Sequence, residues 1–566
     1  MDIEKLILQA ALENAIKFKG KANPGSVIPK ILGADPSAKQ RMKEISQQIK
    51  KVVDEVNTLS VEQQKEKLLQ LVPDYFESEH EKKKQRQEAR KELPELKNAE
   101  MGKVVTRISP EPSKYNHLGH AVSFLLNYLY AKKYEGKCLL RFEDTNPEKS
   151  SQEYVDAMKE DVLNYLDIQV DGEVIVSDHM EKYYTFAQQL ISEGKAYTCS
   201  CPSEVISKNR REMIECSCRN KSSEIVMQEW NEMTAGKIPE GALTLRLKID
   251  MQHKNAVMRD PVIFRMSYSP HYRTQKKYTC WPMYDFENAV EEGLMGVTHV
   301  LRSNEFESRI ELQDYIRSLF NLPNPTVKQY ARFNITGAVT QGREIRTLIE
   351  SGDYIGWDDP RLVTLRALKR RGIVKEAFYE LAKTVGMSQS HSNLDFSVIA
   401  SINRTILDEK AQRFFFISDG EKITVEGAPK KECTLHLHPH HHKGGRTLTT
   451  SQHFIISKKD IDKIQDNELF RLMDCINVRK KGNSYICEGD DLERYKKEGK
   501  TIIHWLPDDN SQLIDIEILM PDNTTLQGKA EKTVTNIAED SVIQFERFGF
   551  CRLDNKKEKR FWFTHN

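Results

Sequence analysis

Apolar positions change their period along the chain, and each change marks a different kind of structure. Over about 1–78 they fall at helical spacing, first Ile3, Leu6, Ile7 and Ala10, then Ile45, Ile49, Val52, Val53 and Val56, which predicts a helical segment. Ser60 followed by Gln63 adds a helix-start signal. Residues 79–98 are almost entirely polar and read as an exposed helix or a tether. From 103 the pattern alternates: strand 103–108, helix 117–134, strand 137–142, then helix 148–166 with Val155, Met158, Val162 and Leu166 on one face. This alternation predicts a parallel, doubly wound sheet whose ligands sit beyond the carboxyl ends of the strands. From about 405 the period becomes two, in short runs separated by turn signals, and two small β-barrels would account for them.

The strand-end rule gathers polar residues into one place. Arg107 and Ser109 lie at or just past the end of the first strand, Glu143 and Asp144 follow the second, and Arg302 ends a buried run at 296–302. Arg107, Glu143 and Arg302 should therefore converge in one crevice. Two guanidiniums and a carboxylate suit a small substrate carrying two carboxylates and an ammonium, although the same residues also read as strand-end salt bridges. Between the first strand and its helix, His117 and His120 stand three apart. At a helix start they share a face beside backbone N–H groups that favour an anion such as phosphate. Gly119 between them leaves room for a flat ring or a backbone to approach.

Composition narrows the class. The 566 residues suffice for three or four domains, about one per 100–200 residues. With 85 basic and 84 acidic groups the net charge is +1, so any nucleic-acid surface must come from local segregation of charge. No basic segment followed by an apolar core opens the chain and no run of 18 apolar residues occurs, so a soluble, unexported protein without a membrane partner is expected. Four of the ten cysteines, Cys199, Cys201, Cys216 and Cys218, form two C-x-C pairs. Four thiolates in two pairs can close a tetrahedral, structural Zn²⁺ site, which suits a reducing cytosol. The run 265–278 interleaves basic and aromatic residues, as a single-strand-contacting surface would, or as an exposed polar hairpin.

The stretch V-V-T-R-I-S-P-E-P-S-K-Y-N-H-L-G-H at 104–120 resembles the HIGH signature of class I aminoacyl-tRNA synthetases in its glutamyl/glutaminyl form. The resemblance continues at R-F-E-D-T-N-P (141–147), at P-M-Y-D-F (282–286) and at I-H-W-L-P and S-V-I-Q-F-E-R-F-G-F, which look like the anticodon-binding barrels of glutaminyl and archaeal-type glutamyl enzymes. Arg302 stands eighteen positions after Tyr284, where glutamate enzymes of the family carry an Arg against the side-chain carboxylate and glutaminyl enzymes a smaller, uncharged residue.

What the resemblance implies is a multidomain α/β protein. A helical extension (1–100) precedes a Rossmann-type catalytic domain (101–178 and 281–340), which is interrupted by an acceptor-end-binding insertion with the cysteine cluster (179–280). A helical stem-contact region (341–404) follows, and then two anticodon-binding β-barrels (405–566). It implies a cytoplasmic glutamate–tRNA ligase of archaeal type, whose partners are glutamate, ATP with Mg²⁺, and tRNA(Glu), with oligomeric state left open. His117, Gly119 and His120 would bind ATP; Arg107, Ser109, Glu143, Tyr284 and Arg302 would hold glutamate.

One motif departs from the family. The second class I signature, K-M-S-K-S, often reads S-K-R-K in this branch, and its lysine neutralises the triphosphate. Here the loop reads Gln341-Gly342-Arg343-Glu344-Ile345-Arg346, and the lysine column falls on Gly342. Arg343 or Arg346 would supply the charge, helped by backbone N–H groups around Gly342, while the acid at Glu344 works against it. An enzyme that also charges tRNA(Gln), a glutaminyl-tRNA synthetase, and a catalytically idle tRNA-binding paralogue remain as rival readings.

Overall fold

A computed structural model describes residues 3–18, 20–34, 39, 41–76, 92–387 and 392–566, and the chain forms two compact units, Met1–Glu92 and Leu93–Asn566. The first unit contains the helices Ile3–Lys17, Pro24–Ala34, Met42–Val56 and Val61–Leu71. Their apolar faces bury Ile7, Ala11, Val27, Ile31, Ile45, Ile49, Val53 and Leu68. The expected start signal is present as a reciprocal pair: Gln63 N–H donates to Ser60 Oγ at 3.3 Å and Ser60 N–H to Gln63 Oε1 at 3.0 Å. The polar helix or tether expected over 79–98 lies largely outside the described residues.

In the second unit the β-branched run after Lys103 forms β1 (Val105–Ile108), which pairs in parallel with β2 (Lys137–Phe142), and β2 in turn with β3 (Gly172–Ile175). The helix Leu118–Lys133 covers the sheet through Leu118, Ala121, Val122, Leu125, Leu126 and Tyr130. The single helix expected over 148–166 is instead Gln152–Lys159 followed by a π-helical stretch, Glu160–Tyr165. Val155, Met158, Val162 and Leu166 are nevertheless all buried.

An inserted four-stranded antiparallel sheet follows, made of β4 (Ala196–Cys199), β5 (Thr244–Leu247), β6 (Val262–Met266) and β7 (Cys280–Pro282). The chain then returns through the helix Tyr284–Leu294 to the parallel pair β8 (His299–Ser303) and β9 (Thr326–Tyr330). β8 lies beside β1, where Thr298 N–H donates to the Val105 carbonyl at 3.0 Å and Val105 N–H to Thr298 Oγ1 at 2.8 Å. The spatial order β3-β2-β1-β8-β9 reverses direction between β1 and β8. A doubly wound sheet opens its ligand crevice at that kind of junction.

The two expected barrels take the form of two seven-stranded mixed sheets. One runs in the order Thr501–Ile503, Leu469–Leu472, Asn477–Lys481, Ser484–Cys487, Gly420–Glu426, His453–Ser457, Leu506–Pro507. The other runs Arg413–Phe414, Val542–Phe545, Gly549–Asn555, Arg560–His565, Leu513–Leu519, Thr525–Glu531, Phe416–Ile417. In neither does a ladder among the described residues join the first strand to the last. No described helix is long and apolar enough to cross a membrane.

Candidate active site

A cavity of about 600 Å³ opens at the β1/β8 junction, and its walls include Arg107, Ser109, Glu143, Tyr284 and Arg302. The five residues expected at the carboxyl ends of the strands are thus together, but their electrostatic states differ. Arg107 is buried against Glu292, with Nε 3.0 Å from Oε1, and Arg317 reaches the other carboxylate oxygen at 3.1 Å. Against the cost of burial, Arg107, Arg141, Arg302 and Arg317 hold Glu292 below the usual carboxylate range. Glu143 is also engaged, accepting from Arg141 Nη2 at 2.7 Å and Asn288 Nδ2 at 3.2 Å.

Arg302 is different. It is 6% exposed, yet its Nε and Nη1 have no hydrogen-bond partner among the described residues. Its guanidinium lies 5.5 Å from the centre of the Phe306 ring, and burial lowers its pKa from the ordinary value. An ion taken out of water costs several kcal/mol when unpaired, so a cation in this state has the chemistry of a site for an anion. Burial, with the Glu143 charge beside it, pushes the Tyr284 phenol up. Tyr284 therefore stays protonated and can donate.

Beside this pocket the two histidines form a closed arrangement. His117 is the N-cap of the helix Leu118–Lys133, and its Nδ1 accepts from Gly119 N–H at 3.1 Å. His120 Nδ1 accepts from His117 N–H, also at 3.1 Å, and the rings stack with centroids 3.9 Å apart. Two backbone donors expected to face an anion are therefore used by the imidazoles themselves. Because both Nδ1 atoms accept, each proton sits on Nε2. Burial, helped by Lys114 and Arg332, lowers the His117 pKa to about 3, and burial takes that of His120 well below its ordinary value. Both rings are neutral donors at neutral pH. A Cβ on Gly119 would come within 3.1 Å of His117 Cε1, so what this glycine admits at close range is the folded-over His117 ring.

The loop ahead of His117 is clamped from three sides. Glu143 N–H donates to the Pro110 carbonyl at 3.0 Å, Tyr115 donates to Glu153 at 2.6 Å while accepting from Arg366 at 2.7 Å, and Asn116 donates to Asp161 at 3.0 Å. The second loop starts the helix Gly342–Glu350. Arg343 is exposed there and does not line the cavity, whereas Arg346 donates to the Ser113 carbonyl at 2.6 Å.

Cys199, Cys201, Cys216 and Cys218 converge, their sulfurs all within 4.8 Å of one another. Tetrahedral zinc with Zn–S near 2.3 Å places sulfurs about 3.8 Å apart, and Cys199 Sγ lies 3.8 Å from Cys216 Sγ. The donor set fits. Arg246 Nη1 stands 3.8 and 3.9 Å from those two sulfurs, a cation beside prospective thiolates.

Residues 103–409 match the family model described as tRNA synthetases class I (E and Q), catalytic domain, and 411–493 and 502–554 each match that family's anti-codon binding domain. The chain belongs to the class I tRNA synthetases for glutamate and glutamine. Over 567 residues it is 39% identical to the glutamate–tRNA ligase of Pyrococcus furiosus, with 98% of each chain covered. Over 565 residues it is 38% identical to that of Methanocaldococcus jannaschii, with 99% of each covered. It is also similar to the solved structure of a glutamate tRNA ligase from Elizabethkingia meningosepticum in complex with its amino acid, at 16% identity and a TM-score of 0.40, over 55% of this chain and 70% of the other. As a class I synthetase it uses ATP with Mg²⁺, an amino acid and tRNA.

Within this synthetase site, sequence reasoning missed the helix Tyr284–Leu294. Glu287, Asn288, Glu291 and Glu292 on it are all buried. Glu287 lines the cavity, its Oε1 without a hydrogen-bond partner among the described residues, and burial, followed by the neighbouring Glu143 charge, pushes its carboxyl well above the usual range. Phe286, Ala289 and Val290 recur at the i, i+3, i+4 spacing of an amphipathic helix, a pattern that places the acids on the opposite face and gives no sign that this face is enclosed as well.

Cations in the region 341–404 expected at the tRNA stem, and in the basic and aromatic run 265–278, hold internal partners. Arg370 pairs with Asp358 and Asp554, and Arg371 donates to the Pro360 and Thr564 carbonyls. In the 265–278 run, Arg265 bonds Glu148 and Asn146, Arg273 pairs with Asp178, and Lys277 pairs with Glu181.

Proposed function

We propose that the cavity holds glutamate with its side-chain carboxylate on Arg302, beside Mg·ATP, and that the chain is a glutamate–tRNA ligase of archaeal type. The observation that carries the substrate is the buried guanidinium of Arg302 with two nitrogens unpartnered. A carboxylate fills that geometry in a forked manner. A glutamine amide would leave the charge without its counter-ion. Near full-length likeness to glutamate–tRNA ligases supports the same substrate.

The reaction runs in two steps. The α-carboxylate of glutamate attacks the α-phosphorus of ATP to give glutamyl-adenylate and pyrophosphate, and the adenylate then acylates the terminal ribose of tRNA(Glu). No side chain needs to act as a nucleophile, so catalysis is positioning and charge stabilisation. His117 and His120 donate from neutral Nε2–H groups to phosphate oxygens, Tyr284 donates to the amino acid, and Ser109 and Arg107 complete the wall. The inserted sheet meets the acceptor end, the helices of 341–404 the stem, and the C-terminal sheets the anticodon. A structural zinc in the four-cysteine cluster supplies a rigid knot for the insertion; metal analysis should find about one zinc per chain, and none retained after Cys199→Ser with Cys216→Ser would be the matching result. Full zinc retention in that variant would refute the site.

Acylation of archaeal tRNA with labelled glutamate or labelled glutamine, each with ATP and Mg²⁺, tests the function. Incorporation of glutamate alone is expected. Glutamine incorporation would overturn the substrate assignment, and incorporation of neither would favour an idle paralogue.

A further inference from the structure

The second loop carries no lysine, yet a lysine lies on it. A Cβ built on Gly342, where the family's lysine column falls, would come within 3.2 Å of Lys114 Cβ and 3.3 Å of its Cδ. Lys114 belongs to the first loop, three residues ahead of His117, and it lines the same cavity as His120. Among the described residues no ion pair engages its ammonium. Its charge is felt by both imidazoles, since it contributes to the lowered pKa of each. The two arginines of the second loop are placed otherwise. Arg343 is exposed, and Arg346 bonds the Ser113 carbonyl at 2.6 Å and the Tyr154 hydroxyl at 3.3 Å. That bond joins the second-loop helix to the residue just before Lys114.

We propose that Lys114, reaching over Gly342 from the first loop, is the catalytic cation that neutralises the triphosphate of ATP in place of a second-loop lysine. The proposal rests on the reading of the cavity as a site for glutamate and Mg·ATP. As the carboxylate oxygen of glutamate bonds to the α-phosphorus, the bond from that phosphorus to the bridging oxygen breaks and its electron pair leaves with pyrophosphate. The ammonium meets the charge that grows there, and no proton changes hands. Gly342 belongs to the same device, because a side chain at 342 would press on the stem of Lys114. A side chain at 342 would have to move the Lys114 stem by a few tenths of an ångström, and one of the two positions carries the charge.

The test exchanges them in the full-length chain. Wild type, Lys114→Met, Lys114→Gly and the double variant Lys114→Gly with Gly342→Lys are compared in steady-state acylation, with thermal melting as the check on folding. Lys114→Met is expected to lower kcat by about 10²-fold or more, with KM for glutamate within about threefold and the melting temperature kept. Lys114→Arg, which keeps the charge, is expected to retain far more activity. Removing the Lys114 stem opens the space a side chain at 342 needs, so the double variant should recover kcat at least tenfold over Lys114→Gly, an outcome that a purely structural role for Lys114 would not produce. A Lys114→Met enzyme with nearly wild-type kcat, a double variant no better than Lys114→Gly, or a larger loss from Arg343→Met would each overturn the proposal while leaving the ligase reading intact. An inactive wild type would overturn both.

Discussion

Arg107 and Arg302 carry the same charge and line the same cavity, but Glu292 pairs with the first, whereas Nε and Nη1 of the second have no hydrogen-bond partner among the described residues. Their placement at strand ends was legible in the sequence, because parallel strands present their last residues to the crevice. Their division of labour was not, since it depends on a glutamate 185 residues away that local pattern cannot connect to Arg107. The histidines show the same limit: the H-x-x-H spacing foretold a shared face, while tautomer and charge came only with the reciprocal bonds. With a folded pKa near 3 for His117 and an unfolded value near 6.5, the unfolded chain binds more protons between those values. The stability held above about pH 6.5 is therefore lost as pH falls toward 3. Side-chain nitrogen spectra of the native protein should show both rings as neutral Nε2–H tautomers without change from pH 8 to pH 5; an imidazolium forming above pH 5 would contradict this.

At the scale of elements, the helix Tyr284–Leu294 organises the site from behind, setting Glu292 against Arg107 of β1 and Asn288 against Glu143 just past β2. Its acids read in sequence as a solvated face, the common fate of Glu. Four arginines around Glu292 make burial tolerable there. The helix approaches its neighbour closely: a Cβ on Gly293 would come within 2.8 Å of Leu322 Cβ. Gly293→Ala is expected to destabilise the protein by about 1–3 kcal/mol through overpacking, read as a lower urea midpoint. An unchanged midpoint would show that the contact yields freely. The β-α order was readable because strand and helix periods differ, whereas the π-helical break at Glu160–Tyr165 leaves the apolar face of that helix continuous and gives no signal of itself.

At the scale of the whole molecule, a net charge of +1 hid how the basic groups are used. Lys369, Arg370 and Arg371, within the region expected at the tRNA stem, face Glu160, Asp358, Asp554 and backbone carbonyls, and in doing so they join the helical region to the C-terminal sheet. Gly372, with φ +88°, follows the helix Leu365–Arg370 and its C-cap Arg371, where a left-handed glycine ends a helix. The C-terminal region was recognisably β from its period of two. Strand order was beyond reach there, since strands distant in sequence pair, as Arg413–Phe414 does with Val542–Phe545.

The central claim is that the unpartnered guanidinium of Arg302 selects glutamate. The measurement that tests it most directly is the KM for glutamate in tRNA acylation by Arg302→Ala against wild type. Loss of one partner of a buried ion pair is worth about 3–4 kcal/mol, so KM should rise about 10²–10³-fold while discrimination against glutamine falls. A variant that keeps the wild-type KM and still rejects glutamine would contradict the account.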